Sequence, residues 1–149
     1  MCQLSEICDL YSVWSKGTAL YTRWADTCGI GYPELIVLYT LRIKDHLTQK
    51  AITEESGLVK PTVNTVIRSL KSRGLVHLEP AKNDKREKLV FLTESGDQYA
   101  HERIDPLLKA EKEIAEKIGS RRIEQAIETM ELFNLLFEHE LKRRTTTDE

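Results

Sequence analysis

The stretch from Lys60 to Gly74, KPTVNTVIRSLKSRG, leaves this chain little choice of fold. Pro61 suits the first turn of a helix, where the amide hydrogen it lacks would have no partner anyway. Val63, Val66, Ile67 and Leu70 then recur at the three-and-four spacing of one buried helical face. Thr62, Asn64, Thr65, Arg68, Ser69, Lys71 and Ser72 stay outward, a polar and partly basic face without an acid. Gly74 is a natural C-terminal stop. Just upstream, Thr48 can cap a short helix from Gln49 to Ser56 that ends at Gly57. Two short helices joined by a tight glycine-containing turn predict a helix-turn-helix. Two strand candidates follow, Leu75–Glu79 and Lys88–Leu92, separated by a loop of turn formers and charge. They predict a two-stranded hairpin with a charged tip.

Charge is segregated onto this part of the chain. Lys60 to Lys88 holds eight basic residues and three acids, a net of +5, whereas the whole chain is −2 and the remainder therefore −7. A basic helix face beside a basic loop is the electrostatic footprint of a polyanion-binding surface.

The flanking segments are helical. From about Leu4 to Thr27, Ile7, Leu10, Tyr11, Trp14, Tyr21 and Trp24 recur at helical spacing, and Gly29-Ile30-Gly31 breaks the run. Pro33 opens a second helix to about Lys44, apolar on most sides and so suited to the centre of a fold. Thr93 can cap a long helix from Glu94 to about Lys117. Gly119 interrupts it, and Ser120 can cap a last helix from Arg121 to about Arg144, with an apolar stripe through Ile123, Ile127, Met130, Phe133, Phe137 and Leu141. One small lobe cannot cover such helices on both faces, so helices from both chain ends are expected to pack against a second copy. The expected organisation is one domain: a lobe at 33–93, a helical dimerisation region at 1–30 and 94–144, and a frayed tail at 145–149.

At 149 residues, 31% charged and a mean hydropathy of −0.41, the chain suits one globular domain. No apolar run approaches the roughly 18 residues of a membrane span. The first residues lack a signal-peptide layout, and the cytoplasm is the expected compartment. Cys2, Cys8 and Cys28 fit free thiols better than a disulfide framework. The histidines are scattered without metal-ligand spacing, so no metal and no cofactor is expected. A Gly-rich phosphate loop and a G-x-S-x-G are both missing, and the chain reads as a non-enzyme.

Leu58-Val59-Lys60-Pro61-Thr62-Val63, Arg73-Gly74-Leu75-Val76, Asn83-Asp84-Lys85-Arg86 and Leu92-Thr93-Glu94-Ser95-Gly96 together resemble the winged helix-turn-helix of the MarR family of bacterial transcription regulators. The resemblance implies a mainly α fold with a small β-hairpin wing, a homodimer, and a DNA-binding regulator, chiefly a repressor. A twofold dimer would set its recognition helices in successive major grooves roughly 34 Å apart, on a pseudo-palindromic operator in double-stranded DNA. Thr62, Asn64, Thr65 and Arg68 are the expected base readers, since Asn can pair bidentately with adenine and Arg with guanine. Lys60, Lys71, Arg73, Lys82, Lys85 and Lys88 are the expected phosphate contacts. By resemblance, Arg86 is the wing residue that reaches a minor groove, with Asp84 holding its guanidinium.

The resemblance also points to a small-molecule effector cleft, for which Trp14, Trp24, Tyr32 and Tyr39 are the candidate lining. A core or dimer-interface role for the same aromatics is the competing reading. One branch of the family senses organic peroxides through a cysteine early in the first helix. Cys8 lies near that place, with Tyr21 and Tyr32 suitably positioned. It is one residue out of register, however, and has no neighbouring base to favour a thiolate. A thiol-based repressor is thus one alternative. A winged-helix protein–protein interaction module without DNA binding is another, and the retained basic wing argues against it.

Overall fold

The computed structural model describes residues 2–82, 84 and 86–146. In chain order the elements are α1 (Cys2–Thr27), α2 (Tyr32–Lys44), β1 (His46–Thr48), α3 (Gln49–Ser56), α4 (Lys60–Ser72), β2 (Val76–Pro80), β3 (Lys88–Leu92), α5 (Glu94–Ile118) and α6 (Ser120–Thr146). They fall into two compact units, Met1–Pro106 and Leu107–Glu149.

The core of the first unit follows the apolar spacing. Leu35, Val37, Leu38 and Leu41 of α2 are fully buried, as are Ile52 of α3 and Val63 and Leu70 of α4. Ile67 is nearly so, while Val66 on the edge of the same stripe is half-buried. Burying each such side chain stabilises the fold by about 1.5–3 kcal/mol, which fixes the rotation of α4 and hence which of its residues face solvent. Thr48 caps α3 through its Oγ1, which accepts the amide hydrogen of Ala51 at 3.1 Å. Gly57 ends α3 at φ 67°, a left-handed conformation open to glycine without a Cβ penalty.

The sheet has a third strand that the sequence reading lacks. β3 is central, with β2 antiparallel on one side and β1 on the other, in the registers Leu78↔Val90 and Leu47↔Val90. β1 has only three residues, too few for a period-two pattern, and it is entered through a sharp γ-like turn at Asp45 (φ 68°, ψ −63°).

The junction after the sheet shows why threonine and glycine stand where they do. The Thr93 hydroxyl donates to the Gly74 carbonyl at 2.7 Å and accepts the Gly96 amide hydrogen at 3.0 Å. The Thr93 amide donates to the Leu75 carbonyl at 3.0 Å. A Cβ on Gly96 would lie 1.8 Å from that carbonyl oxygen. The start of α5 can thus lie directly on the Gly74–Leu75 turn only because residue 96 has no side chain.

Three boundaries differ from expectation. The first compact unit is larger than 33–93, because Ala25 of α1 and Ala100 and Ile104 of α5 are fully buried in it. Ser120 is the first residue of α6 rather than its cap, since the Gly119 carbonyl accepts the amides of Arg122 and Ile123. The last helix continues through Thr145 and Thr146, two residues into the stretch expected to fray; 147–149 lie outside the described residues. In the second unit, Ile127, Leu132, Leu135, Leu136, Phe137 and Leu141 of α6 are all exposed.

Candidate nucleic-acid interface

The basic residues of the 32–106 segment divide by what they touch. Arg42 of α2 clamps α5: its Nε and Nη2 donate to the two carboxylate oxygens of Asp105 at 2.8 and 2.9 Å, and its Nη1 to Asp97 at 2.6 Å. His101 Nδ1 lies 2.6 Å from the same Asp105. The hydrogen bonds from Arg42 hold the Asp105 carboxyl below the usual carboxylate range. Arg73, at the C-terminal cap of α4, donates to both Glu34 oxygens at 2.9 and 3.0 Å. The Tyr99 hydroxyl donates to the same carboxylate at 2.8 Å, and the Tyr99 ring lies under the Arg73 and Arg103 guanidinium groups at 4.9 and 3.6 Å. Burial, and then the Glu34 carboxylate, push the Tyr99 phenol up. Lys44 pairs loosely with Glu55 at 3.9 Å.

The remaining described cations of the segment make no ion pair with a described residue. They are Lys50, Lys60, Arg68, Lys71, Lys82, Arg86 and Lys88, and all are exposed. Arg68 and Lys71 lie with Asn64 along a shallow depression of about 300 Å³, which also touches Gln49 and Leu78. Thr62 and Asn64 are half-buried on the same helix, and Thr65 is exposed with its hydroxyl donating to the Pro61 carbonyl at 2.9 Å. A second groove, of about 280 Å³, brings Lys60 of α4 together with Arg86 and Lys88 of the wing and with Gln49 and Lys50 of α3. Sequence reasoning overlooked Gln49 and Lys50. Their only signal was a place at the start of the first helix of the helix-turn-helix.

Two expected roles change. Asp84 accepts the backbone amide hydrogen of Arg86 at 2.9 Å rather than its guanidinium. An aspartate two residues before an amide closes an Asx-turn on the backbone, so Asp84 shapes the wing tip. Arg73, expected among the phosphate contacts, instead gives its Nη1 to Glu34 and lies over the Tyr99 ring. Lys82 is exposed at the wing, and Lys85 lies outside the described residues.

An open pocket of about 460 Å³ lies between α1, α2 and the end of α3. Trp14, Tyr32 and Tyr39 line it, with Tyr21 in addition. Trp24 does not: Trp14, Gly17, Thr18 and Tyr21 form the lining stripe of α1, and one turn later Ala25 takes the fully buried place. Cys8 is an exposed free thiol outside this lining. It precedes Tyr21 by about 20 Å along the helix axis, at about 1.5 Å per residue. Among the described residues, no cluster of His, Cys, Asp or Glu could hold a metal ion, and no helix is long and apolar enough to cross a membrane.

Known proteins share this fold. Residues 29–87, which span the turn before α2 through the loop between β2 and β3, match the family model described as MarR family. Over this segment the chain is similar to the MarR family. An uncharacterised HTH-type transcriptional regulator of Bacillus subtilis, YwoH, is 38% identical over 78 residues, 52% of this chain and 56% of the relative. The organic hydroperoxide resistance transcriptional regulator of the same organism is 27% identical over 96 residues, 64% of this chain and 65% of the relative. The chain thus spans less than two thirds of the length of these two relatives. Among solved structures, the MarR family regulator NMB1585 from Neisseria meningitidis superposes with a TM-score of 0.82 at 24% identity, over 97% of this chain and 99% of that one. The matched segment thus runs from α2 through β2 and the loop before β3, with long helices on either side of it in the chain.

Proposed function

We propose that the protein is a homodimeric, sequence-specific transcription regulator of double-stranded DNA, a repressor released by a small-molecule effector, and not an enzyme. The observation that carries this reading is the sorting of cations. Those on the α4 face, the start of α3 and the wing have no acidic partner, as a surface that meets phosphates requires. Asn64 and Arg68, with Thr62 and Thr65 beside them, read base edges. Lys60, Lys71, Lys82 and Lys88 bind the backbone, and the wing Arg86 reaches a minor groove.

Dimerisation is supported by apolar surface at both ends of the chain. Tyr11 and Val13 of α1 are 69% and 68% exposed, and Leu136 and Phe137 of α6 are 60% and 56% exposed. Apolar surface of this extent marks an interaction site. Two copies related by a twofold axis would then present their α4 helices to a pseudo-palindrome.

The aromatic pocket is the effector site in this reading. α2 links it to the reading head: Tyr32, Ile36 and Tyr39 line the pocket, while Glu34 and Arg42 of the same helix hold the α4 cap and α5. An effector acts only by binding the DNA-competent and DNA-free geometries unequally. The exposed Cys8 thiol favours a second reading, in which its oxidation is the release signal.

The test is a fluorescence-anisotropy titration against DNA upstream of the gene, with scrambled DNA as control and salt varied. Binding should be sequence-selective and fall about 10³–10⁵-fold between 50 and 200 mM salt if about 6–10 phosphates are neutralised. Arg86→Ala should weaken it on every sequence. Adding peroxide to the complex formed by wild-type protein and by Cys8→Ser separates the two release signals. A random-sequence selection that enriches nothing would sink the regulator reading and leave the interaction module.

A further inference from the structure

We infer that the groove between the start of α3 and the loop end of the wing seats one DNA backbone phosphate per copy, with Lys50 as a cation of that seat. The inference rests on the DNA-binding reading and adds to it a contact from α3, the first helix of the helix-turn-helix. Three separate elements converge there: Lys50 comes from α3, Lys60 from α4, and Arg86 and Lys88 from the wing. Glu87 is the one carboxylate on the rim. None of the four cations is paired with a described residue, although every other described cation of the 32–106 segment outside the DNA-facing set is.

Four like charges around one groove repel one another, and an anion among them relieves that repulsion. The groove, at about 280 Å³, has room for a phosphate group with several waters, each of about 30 Å³. Gln49 lines both this groove and the depression that holds Asn64, Arg68 and Lys71. The seat is therefore continuous with the base-reading face. A strand whose bases meet α4 can set a phosphodiester between α3 and the wing without leaving the surface.

A phosphate contact is blind to sequence and contributes to the salt dependence, whereas a base contact does the reverse. The experiment compares wild type, Lys50→Gln and Lys88→Gln on a selected duplex, with affinity measured at several salt concentrations. Both variants should bind every duplex about tenfold more weakly by the same factor. The magnitude of the log–log salt slope should drop by roughly 2 for a two-copy complex, at about 0.9 per phosphate. A set of duplexes, each carrying one neutral methylphosphonate per half-site, then locates the phosphate. On one of them Lys50→Gln should cost nothing further.

An unchanged salt slope in Lys50→Gln, or a loss that persists on every methylphosphonate duplex, would overturn the seat while leaving the regulator reading intact. So would a loss that depends on base sequence. Inorganic phosphate that binds the DNA-free protein in a Lys50-dependent way, with no Lys50 effect on DNA affinity, would assign the groove to a free anion instead. Wild-type protein that binds no duplex would sink the DNA-binding reading itself.

Discussion

Arg42 and Arg73, and Arg68 and Arg86, are the same residue put to opposite uses. Arg42 and Arg73 end in carboxylates on other elements, tying α2 to α5 and the end of α4 to the start of α2. Arg68 and Arg86 end in solvent. A paired guanidinium spends its hydrogen-bonding capacity on the fold, and a free one keeps it for a partner. Net charge does not make this distinction. Counting Lys60–Lys88 by sign places Arg73 with the DNA contacts, although its acidic partner Glu34 lies outside the counted stretch. What separates the two regions is whether an acid stands opposite each base, and that is a property of the fold.

The comparison predicts that damage on the clamped side appears as lost stability at unchanged salt dependence. Gly96→Ala should do the most, because its Cβ would meet the Leu75 carbonyl oxygen at 1.8 Å. Overpacking against backbone should cost about 3 kcal/mol, read as a lowered urea midpoint. Arg42→Ala should cost less, about 1–2 kcal/mol, since the Arg42–Asp105 pair is partly solvated. It also carries a pH signature. The Asp105 carboxyl is depressed in the folded state. Its contribution is thus fully present above the unfolded value, about 3.9, and is lost as pH falls through the lower folded value. The stability gap between wild type and Arg42→Ala should be constant near neutrality and shrink below about pH 4. A gap that widened on acidification, or an Arg42→Ala protein with an altered DNA salt slope, would break the division.

The fold was more legible in the sequence than the site. α3 and β3 have the limits that turn signals, caps and apolar spacing predict, because each of those signals is local. β1 escaped because three residues carry no period and the strand exists only where β3 offers it an edge. The outward face of α4 follows directly from its buried stripe, so the exposed places of Arg68 and Lys71 were readable. The place of Lys50 was not, because the fold brings the start of α3 beside the wing. Asp84 illustrates a different failure. Its spacing to Arg86 suggested a side-chain pair, but the backbone amide two residues on is nearer and cheaper to reach. Trp24 was grouped with Trp14 and Tyr21 by period, yet a drift of one position put Ala25 inward in its place.

The smallest effect is the most discriminating. Lys71 is exposed, has no acidic partner among the described residues, and lies beside Arg68 on the α4 face. Lys71→Ala should leave stability within about 0.5 kcal/mol of wild type, as surface changes away from packed features do. It should still lower the magnitude of the salt slope by about 1 for each copy bound, and do so equally on matched and scrambled DNA. Arg42→Ala gives the mirror result, with stability lost and slope kept. Both can be read from one pair of titrations, urea for the fold and salt for the complex. If Lys71→Ala lost stability to the same extent as Arg42→Ala, the α4 face would be part of the clamp after all. The absence of acids around it would then say nothing about DNA.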